Sequence, residues 1–86
     1  MERKFTAADL AQRLAFHMRR LRTAAGASQS DAATSAGMTL RHWQRLEGAE
    51  ASASLGMVVR IANGLGVDAG ELLGPIPSKP GRRPRG

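Results

Sequence analysis

The residues whose types and spacing best suit the hydrogen bonding of a ligand are Arg41, Gln44 and Arg45. Side chains three and four residues apart lie on the same face of a helix, so these three would project together, with Leu40 beside them. Guanidinium and amide groups can form hydrogen bonds to the base edges of a DNA major groove. The spacing therefore predicts a polar surface suited to reading bases.

Residues 28–47 form the stretch that must position this surface. Ser28 and Thr39 can each accept hydrogen bonds from the first N–H groups of a helix, so a helix is expected to begin after each of them. Gly37 lies between them and can adopt the left-handed conformation that ends a helix. The sequence predicts a tight helix-turn-helix, and its second helix carries the polar surface.

A longer helix should precede this motif. Thr6 to Asp9 resembles a capping box, and Gly26 can end the helix that starts there. The expected core face recurs at helical spacing and consists of Leu10, Leu14, Met18, Leu21 and Ala25. His17, Arg13 and Arg20 are placed on another face. The first helix is thus predicted to be amphipathic.

Two further helices are indicated after the motif. Gly48 should end the second helix of the motif, and a flexible loop should follow. Ser54 can start a fourth helix that is apolar on many sides, which predicts a central core position, and Gly64 and Gly66 should end it. Asp68 should cap a short fifth helix.

The composition excludes several functional classes. The 86 residues can hold one small core, and the absence of cysteine excludes disulfides and thiolate zinc sites. His17 and His42 lack metal-binding spacing, and no acidic pair or nucleophile–base arrangement is present. We therefore expect no metal, no cofactor and no enzyme. Because no apolar run reaches the roughly 18 residues of a membrane helix, we expect a soluble, cytoplasmic protein.

The positive charge lies at the two ends of the chain. Of the formal charge of +6, residues 1–26 carry +4, residues 27–74 carry −2 and residues 75–86 carry +4. The last stretch is rich in proline and glycine and cannot form a core. We therefore predict a domain at 1–74 and a disordered basic tail at 75–86. Such charge fits attraction to a polyanion, and it fits a solvated tail equally well.

Several residue types recur at set spacings between residues 10 and 74. They are Ser28, Gln29, Ala33, Gly37, Met38, Thr39, Trp43, Leu46, Glu47, Leu55, Ile61, Ala62, Leu65, Gly66 and Val67. In these positions the chain resembles the phage-repressor and Cro-like helix-turn-helix family, also called the XRE family. The resemblance implies an all-α, five-helix lambda-repressor-like domain that binds double-stranded DNA.

The resemblance also implies roles for single residues. Base contacts fall on Leu40, Arg41 and Arg45. Phosphate contacts fall on Ser28, Gln29, Thr39, His42 and Gln44. A structural ion pair falls on Arg22 and Glu47. Alternatives stay open: Arg41 could contact phosphate or remain solvated, Ser28 could act mainly as a cap, and His42 could be a solvated ring.

Some positions depart from the family pattern. Alanine stands at 32 and 36, where the family usually has larger aliphatic residues, and tryptophan stands at 43, where isoleucine or valine is usual. One indole can fill the space that two missing side chains leave, because cores keep a near-constant packing density. Trp43 is therefore predicted in the core rather than stacked on a base. Ala49 occupies a position where glycine is typical.

The function implied by the resemblance is transcriptional regulation. The protein is expected to act as a repressor that binds a pseudo-palindromic operator as a homodimer, in the cytoplasm and on the nucleoid. The sequence does not locate the dimer contact, and the region from the fourth to the fifth helix is the first place to look for it. Two alternatives remain, the antitoxin of a toxin–antitoxin pair and a protein-interaction module. A protein partner, if there is one, would be a toxin or polymerase.

Overall fold

The computed structural model describes residues 4–77, and the described residues form five helices and no strand. The helices are α1 (Ala7–Ala24), α2 (Gln29–Ala36), α3 (Leu40–Glu47), α4 (Leu55–Leu65) and α5 (Gly70–Leu73). This arrangement confirms the predicted all-α fold. Most of the predicted basic tail, from residue 78 onward, lies outside the described residues. No helix between residues 4 and 77 is long and apolar enough to cross a membrane.

Each of the first four helices begins directly after its predicted cap residue. The hydroxyls of Thr6, Ser28, Thr39 and Ser54 each accept a hydrogen bond from the backbone N–H three residues later, at 3.0–3.1 Å. Such a cap typically stabilises a helix by about 1 kcal/mol. Asp9 and Asp31 complete capping boxes, because their carboxylates accept from the backbone N–H of the cap residue. The box at Asp31 was not predicted.

The fifth helix starts slightly later than predicted. Asp68 does not occupy the cap position, which falls on Ala69, although its carboxylate accepts from the Gly70 N–H at 2.7 Å. The N–H groups of Glu71 and Leu72 bond to carbonyls three residues back. This tighter pattern makes the boundary of a one-turn helix shift by a residue.

The turn between α2 and α3 depends on Gly37. Its φ of 70° lies in the left-handed region, and the Met38 N–H closes the turn on the Ala33 carbonyl at 2.9 Å. Gly48 ends α3 at the C-cap position, as predicted, but its φ is −92° and therefore not left-handed. The left-handed position there is taken by Ala49, with a φ of 58°. The chain thus keeps the left-handed backbone where its sequence has alanine.

Gly64 does not end α4, contrary to prediction. It lies inside the helix, and Gly66 follows it with a φ of 71° and ends α4. A Cβ placed on Gly64 would lie 3.0 Å from the Ala36 nitrogen and the Ser35 carbonyl carbon. Gly64 is therefore a close-approach position that lets α4 pack directly against the backbone of α2.

The core confirms the prediction for Trp43. The indole is completely buried, and it belongs to one cluster with the three buried alanines of α2. The full cluster is Leu14, Met18, Ala32, Ala33, Ala36, Trp43, Leu46, Val58, Ile61, Ala62 and Leu72. The small side chains of α2 therefore leave room for the large side chain of α3.

His17 is buried, although it was placed outside the core face. The Nδ1 atom accepts from Arg20 Nε at 3.2 Å, so Nε2 carries the ring proton and donates it to the Gly74 carbonyl at 3.0 Å. Arg13 donates to the neighbouring Leu73 carbonyl at 3.3 Å. Both ring nitrogens have partners, and this satisfaction allows a polar residue to pack between α1 and the end of α5.

The fourth helix is less buried than predicted. Val58, Ile61 and Ala62 face the core, whereas Leu55 is 79% exposed and Val59 is 51% exposed. Residues 55 and 59 are one helical turn apart and lie on the same side. The apolar residues of α4 therefore form two surfaces, one in the core and one facing solvent.

Candidate nucleic-acid interface

The third helix separates its side chains into a buried and an exposed face. Trp43, Leu46 and Glu47 are buried. Leu40 is 41% exposed, and Arg41, Gln44 and Arg45 are also exposed. The structure thus brings the predicted polar surface together on one side of α3, and we call these four residues the α3 outer face.

The two arginines of the α3 outer face are held differently. Arg45 donates from Nη2 to the Glu50 carbonyl at 3.4 Å, in the loop that follows the helix. Arg41 has no hydrogen bond or ion pair to any residue in the range 4–77. Its guanidinium is therefore available for a planar, two-point hydrogen bond to an incoming group.

The predicted phosphate-binding residues lie at the openings of α2 and α3 or along α3. The hydroxyls of Ser28 and Thr39 accept from backbone N–H groups as helix caps. His42 is half-buried on α3. Because helix N-termini present backbone N–H groups and a positive dipole end, the opening of α3, which has no acidic residue in its first turn, is electrostatically suited to anions, whereas the opening of α2 already holds the Asp31 carboxylate.

Gln29 and Gln44 form a bridge between the two helices. Gln29 donates from Nε2 to Glu47 Oε1 at 2.8 Å, and its Oε1 accepts from Gln44 Nε2 at 3.2 Å. One side chain of the α3 outer face is thereby connected to a buried carboxylate. The amide of Gln29 can contact a phosphate only with the second N–H of its Nε2 atom.

Glu47 is the centre of a hydrogen-bond cluster. Arg22 donates to it twice, from Nε to Oε2 at 2.8 Å and from Nη2 to Oε1 at 3.0 Å. The Trp43 indole donates to Oε2 at 2.8 Å. Only 1% of the Glu47 side chain is exposed. The structure thus brings together the two residues expected to form a structural ion pair, and adds Trp43 and Gln29 to it; we call these four residues the Glu47 cluster.

The environment of this cluster changes the ionisation of both charged groups. Burial alone would raise the pKa of Glu47, but hydrogen bonds from Arg22, Gln29 and Trp43 outweigh it and lower that pKa below its ordinary value. The hydrogen bond to Glu47 raises the pKa of Arg22. Both partners therefore remain charged in the folded protein at neutral pH.

Arg60 also holds the helix-turn-helix in place, a role that the sequence analysis did not predict. From α4 it donates to the carbonyls of Ala36 and Gly37, at the end of α2. A guanidinium at this position complements the negative end of the helix dipole. The sequence signal was absent because the arginine and its acceptors belong to different helices.

Taken together, these features describe a helix-turn-helix in which Trp43 of α3 packs on the buried alanines of α2 and the α3 outer face is exposed. The family model described as "Helix-turn-helix domain" matches residues 13–73. The chain therefore belongs to this helix-turn-helix family, and its type is that of the phage-repressor and Cro-like DNA-binding regulators.

Solved structures give the same result. A hypothetical transcription factor, NHTF, from Neisseria is 29% identical with a TM-score of 0.76, over 87% of this chain and 86% of that chain. The restriction-modification controller protein C.AhdI from Aeromonas hydrophila is 27% identical with a TM-score of 0.70, over 72% of this chain and 94% of that chain.

A third structure shows likeness in fold alone. An HTH_3 family transcriptional regulator from Vibrio cholerae is 22% identical with a TM-score of 0.75. The match covers 78% of this chain but only 38% of that longer chain. A search of curated proteins gave no match.

Proposed function

We propose that this protein is a transcriptional repressor that binds a pseudo-palindromic DNA operator as a homodimer. The observation that carries the proposal is the division of α3, with Trp43 and Glu47 fixed in the interior and Arg41 exposed and unpaired within residues 4–77. A helix held firmly on one side and polar on the other fits the width of a DNA major groove.

Base reading is assigned to three residues of the α3 outer face. Arg41 would donate two parallel hydrogen bonds to the O6 and N7 atoms of a guanine, and Leu40 would contact a thymine methyl group. Arg45 would reach a base from the next turn of the helix, after leaving the Glu50 carbonyl to which it now donates at 3.4 Å.

Phosphate contacts would fix the domain on the duplex without reading sequence. They are assigned to Ser28, Gln29, Thr39, His42 and Gln44. Ser28 and Thr39 supply the helix openings, and Gln29 and Gln44 are already joined at 3.2 Å. A phosphate would therefore meet two linked amides rather than two independent ones.

A dimer is needed because one helix reads only a few base pairs. We assign the contact to the exposed side of α4, where Leu55 and Val59 present apolar surface to solvent. Two copies related by a two-fold axis would bury this surface and place two α3 helices roughly 34 Å apart, one turn of DNA.

The chain is divided into a DNA-binding domain and a basic segment that follows it. Residues 1–74 would form the DNA-binding domain, and the four cations of residues 75–86 would add sequence-independent phosphate attraction. By occupying its operator the protein would obstruct polymerase, in the cytoplasm and on the nucleoid. The 27% identity with a restriction-modification controller protein supports a regulatory role.

Selection of bound sequences from a random duplex pool tests the proposal. We expect a two-fold-symmetric motif with half-sites about one helical turn apart. Affinity for that motif should fall steeply as salt is raised, since contacts to several phosphates release counterions from the DNA on binding. Recovery of no motif, together with a flat salt response on any duplex, would refute DNA binding and favour a protein-interaction module.

A further inference from the structure

A groove lies beside the helix-turn-helix, between α1 and the end of α3. Its walls include Phe16, Arg19 and Arg20 of α1, Ala49 after α3, and Ile76 after α5. Its volume of about 610 Å³ is in the range that holds several side chains of a bound ligand. We call it the α1 groove.

The α1 groove has an apolar side. Phe16 is 38% exposed and Ile76 is 42% exposed. The two residues belong to distant parts of the chain, yet they border the same groove, because the carbonyls of Leu73 and Gly74 are held on α1 by Arg13 and His17. The apolar surface is therefore built by the fold rather than by one helix.

The α1 groove also has a basic side. The side chain of Arg19 is 67% exposed, and its Nε atom lies 3.7 Å from Glu47 Oε1. That contact is longer than a hydrogen bond, and Glu47 is already occupied by closer donors. Arg20 gives its Nε–H to His17, which orients the rest of its guanidinium. The guanidinium groups of Arg19 and Arg20 therefore give this rim of the groove a positive charge.

We propose that the α1 groove is a docking site for an acidic amphipathic segment of another protein. Carboxylates of the segment would pair with Arg19 and Arg20, and an apolar side chain would pack between Phe16 and Ile76. Arginine suits this use because its planar guanidinium binds carboxylates at two points.

Other occupants fit less well. Residues 78–86 of this chain carry Lys79, Arg82, Arg83 and Arg85, and this positive charge disfavours them as partners for the arginine rim. A DNA backbone would match the charge but would leave Phe16 and Ile76 without an apolar partner. Charge and apolar surface together select an acidic and apolar partner.

Fluorescence anisotropy with the full chain tests the proposal. The probe is a labelled 14-residue helical peptide with leucines one turn apart and glutamates beside them, and the matched peptide has glutamine in place of glutamate. We expect the acidic peptide to bind about tenfold more tightly. Phe16→Ser and Arg19→Gln should each weaken its binding about fivefold or more, and added salt should weaken it further.

Two controls define the site. Leu40→Ser and Arg41→Gln make the same kinds of change on the α3 outer face and should leave the peptide affinity unchanged. Phe16→Ser and Arg19→Gln should keep the wild-type operator affinity, and Arg19→Gln should keep the wild-type melting temperature. Phe16→Ser should remain folded but melt at a lower temperature, because the ring is mostly buried and packs edge-on against His17. Equal binding of the two peptides, or of neither, would overturn the proposal. So would a loss of operator affinity in Arg19→Gln, which would make the groove a phosphate contact, or loss of self-association in Phe16→Ser.

Discussion

The two faces of α3 differ in how firmly their side chains are held. In the Glu47 cluster, every polar atom of the carboxylate has a partner at 2.8–3.0 Å. On the α3 outer face, Arg41 has no partner within residues 4–77, and Arg45 has one long contact. The comparison shows that one short helix has firmly held side chains on one side and largely unpaired ones on the other, which is the arrangement that the proposed recognition by the α3 outer face requires.

This division has an energetic reason. A buried carboxylate loses its hydration and is tolerated only when donors replace the lost water. An exposed arginine keeps its hydration until a ligand displaces it, so it contributes little to stability. Changes to the two faces should therefore have separable effects, on unfolding in one case and on binding in the other.

The largest effect is expected for Glu47→Gln. The change removes the charge that compensates the partly buried Arg22, so the free energy of unfolding should fall by about 3 kcal/mol. Chemical denaturation followed by circular dichroism would measure it. Glu50→Gln is the matched control, since Glu50 is exposed, and its effect should stay within roughly 0.5 kcal/mol. Equal stability of Glu47→Gln and wild type would show that the cluster is not stabilising.

The same cluster predicts a pH dependence. The pKa of Glu47 is lowered in the folded state, so its stabilisation is present above the ordinary pKa of about 4.3. It should be lost as the pH falls below that value towards the folded-state pKa. The difference in unfolding free energy between wild type and Glu47→Gln should therefore shrink on acidification. A difference that stayed constant down to about pH 2 would contradict the assignment.

On the α3 outer face, Arg41→Ala should change binding without changing stability. We expect a loss of discrimination of about 1–3 kcal/mol at one base pair of each half-site, with non-specific binding retained. Affinities for a panel of single-base operator variants at fixed salt would show it. If affinity fell uniformly across the panel, Arg41 would be a phosphate contact and not a reader.

Gln29 of α2 contacts Glu47 on the buried face of α3 and Gln44 on the α3 outer face. Its substitution should therefore affect both stability and binding. Gln29→Ala removes a donor from the buried carboxylate, which should cost about 1–2 kcal/mol of stability. If Gln29 contacts phosphate as we propose, the change should also weaken binding to all operator variants about equally, and it removes the acceptor that holds Gln44. Denaturation and the same operator panel would separate the two effects. A changed base preference would instead place Gln29 among the readers.

The sequence predicted those parts of the molecule that depend on local chemistry. Thr6, Ser28, Thr39 and Ser54 are cap residues whose acceptors act within three residues, so the helix starts could be read directly. The α3 outer face followed from helical periodicity alone. The fold class and the position of the candidate surface were therefore accessible before any coordinates.

The parts that could not be predicted depend on partners far along the chain. His17 binds a carbonyl 57 residues away, and Arg60 binds one 24 residues away. No local pattern distinguishes these side chains from solvated ones. Gly64 was misread for the same reason, because its role is set by the backbone of α2 against which it packs. Likewise, the two amide contacts of Gln29 depend on how α2 crosses α3.

The smallest expected effect concerns the end of α3. Ala49 holds a φ of 58°, a conformation that costs residues with a Cβ roughly 1–2 kcal/mol and costs glycine much less. The left-handed turn is fixed by the Glu50 N–H, which donates to the Arg45 carbonyl at 2.8 Å, so the chain cannot relax the strain by moving. Ala49→Gly should therefore stabilise the protein by about 0.5–1 kcal/mol, after the greater entropy of unfolded glycine is subtracted.

Gly48→Ala is the matched control. The φ of Gly48 is −92°, so this change relieves no backbone strain, and its new Cβ would lie 3.3 Å from the Gln44 carbonyl oxygen. Thermal melts of both variants would measure the difference. Since Ala49→Gly changes no side chain of the α3 outer face, the operator affinity of that variant should stay at the wild-type value. Destabilisation by Ala49→Gly would mean that the left-handed turn imposes no strain on alanine.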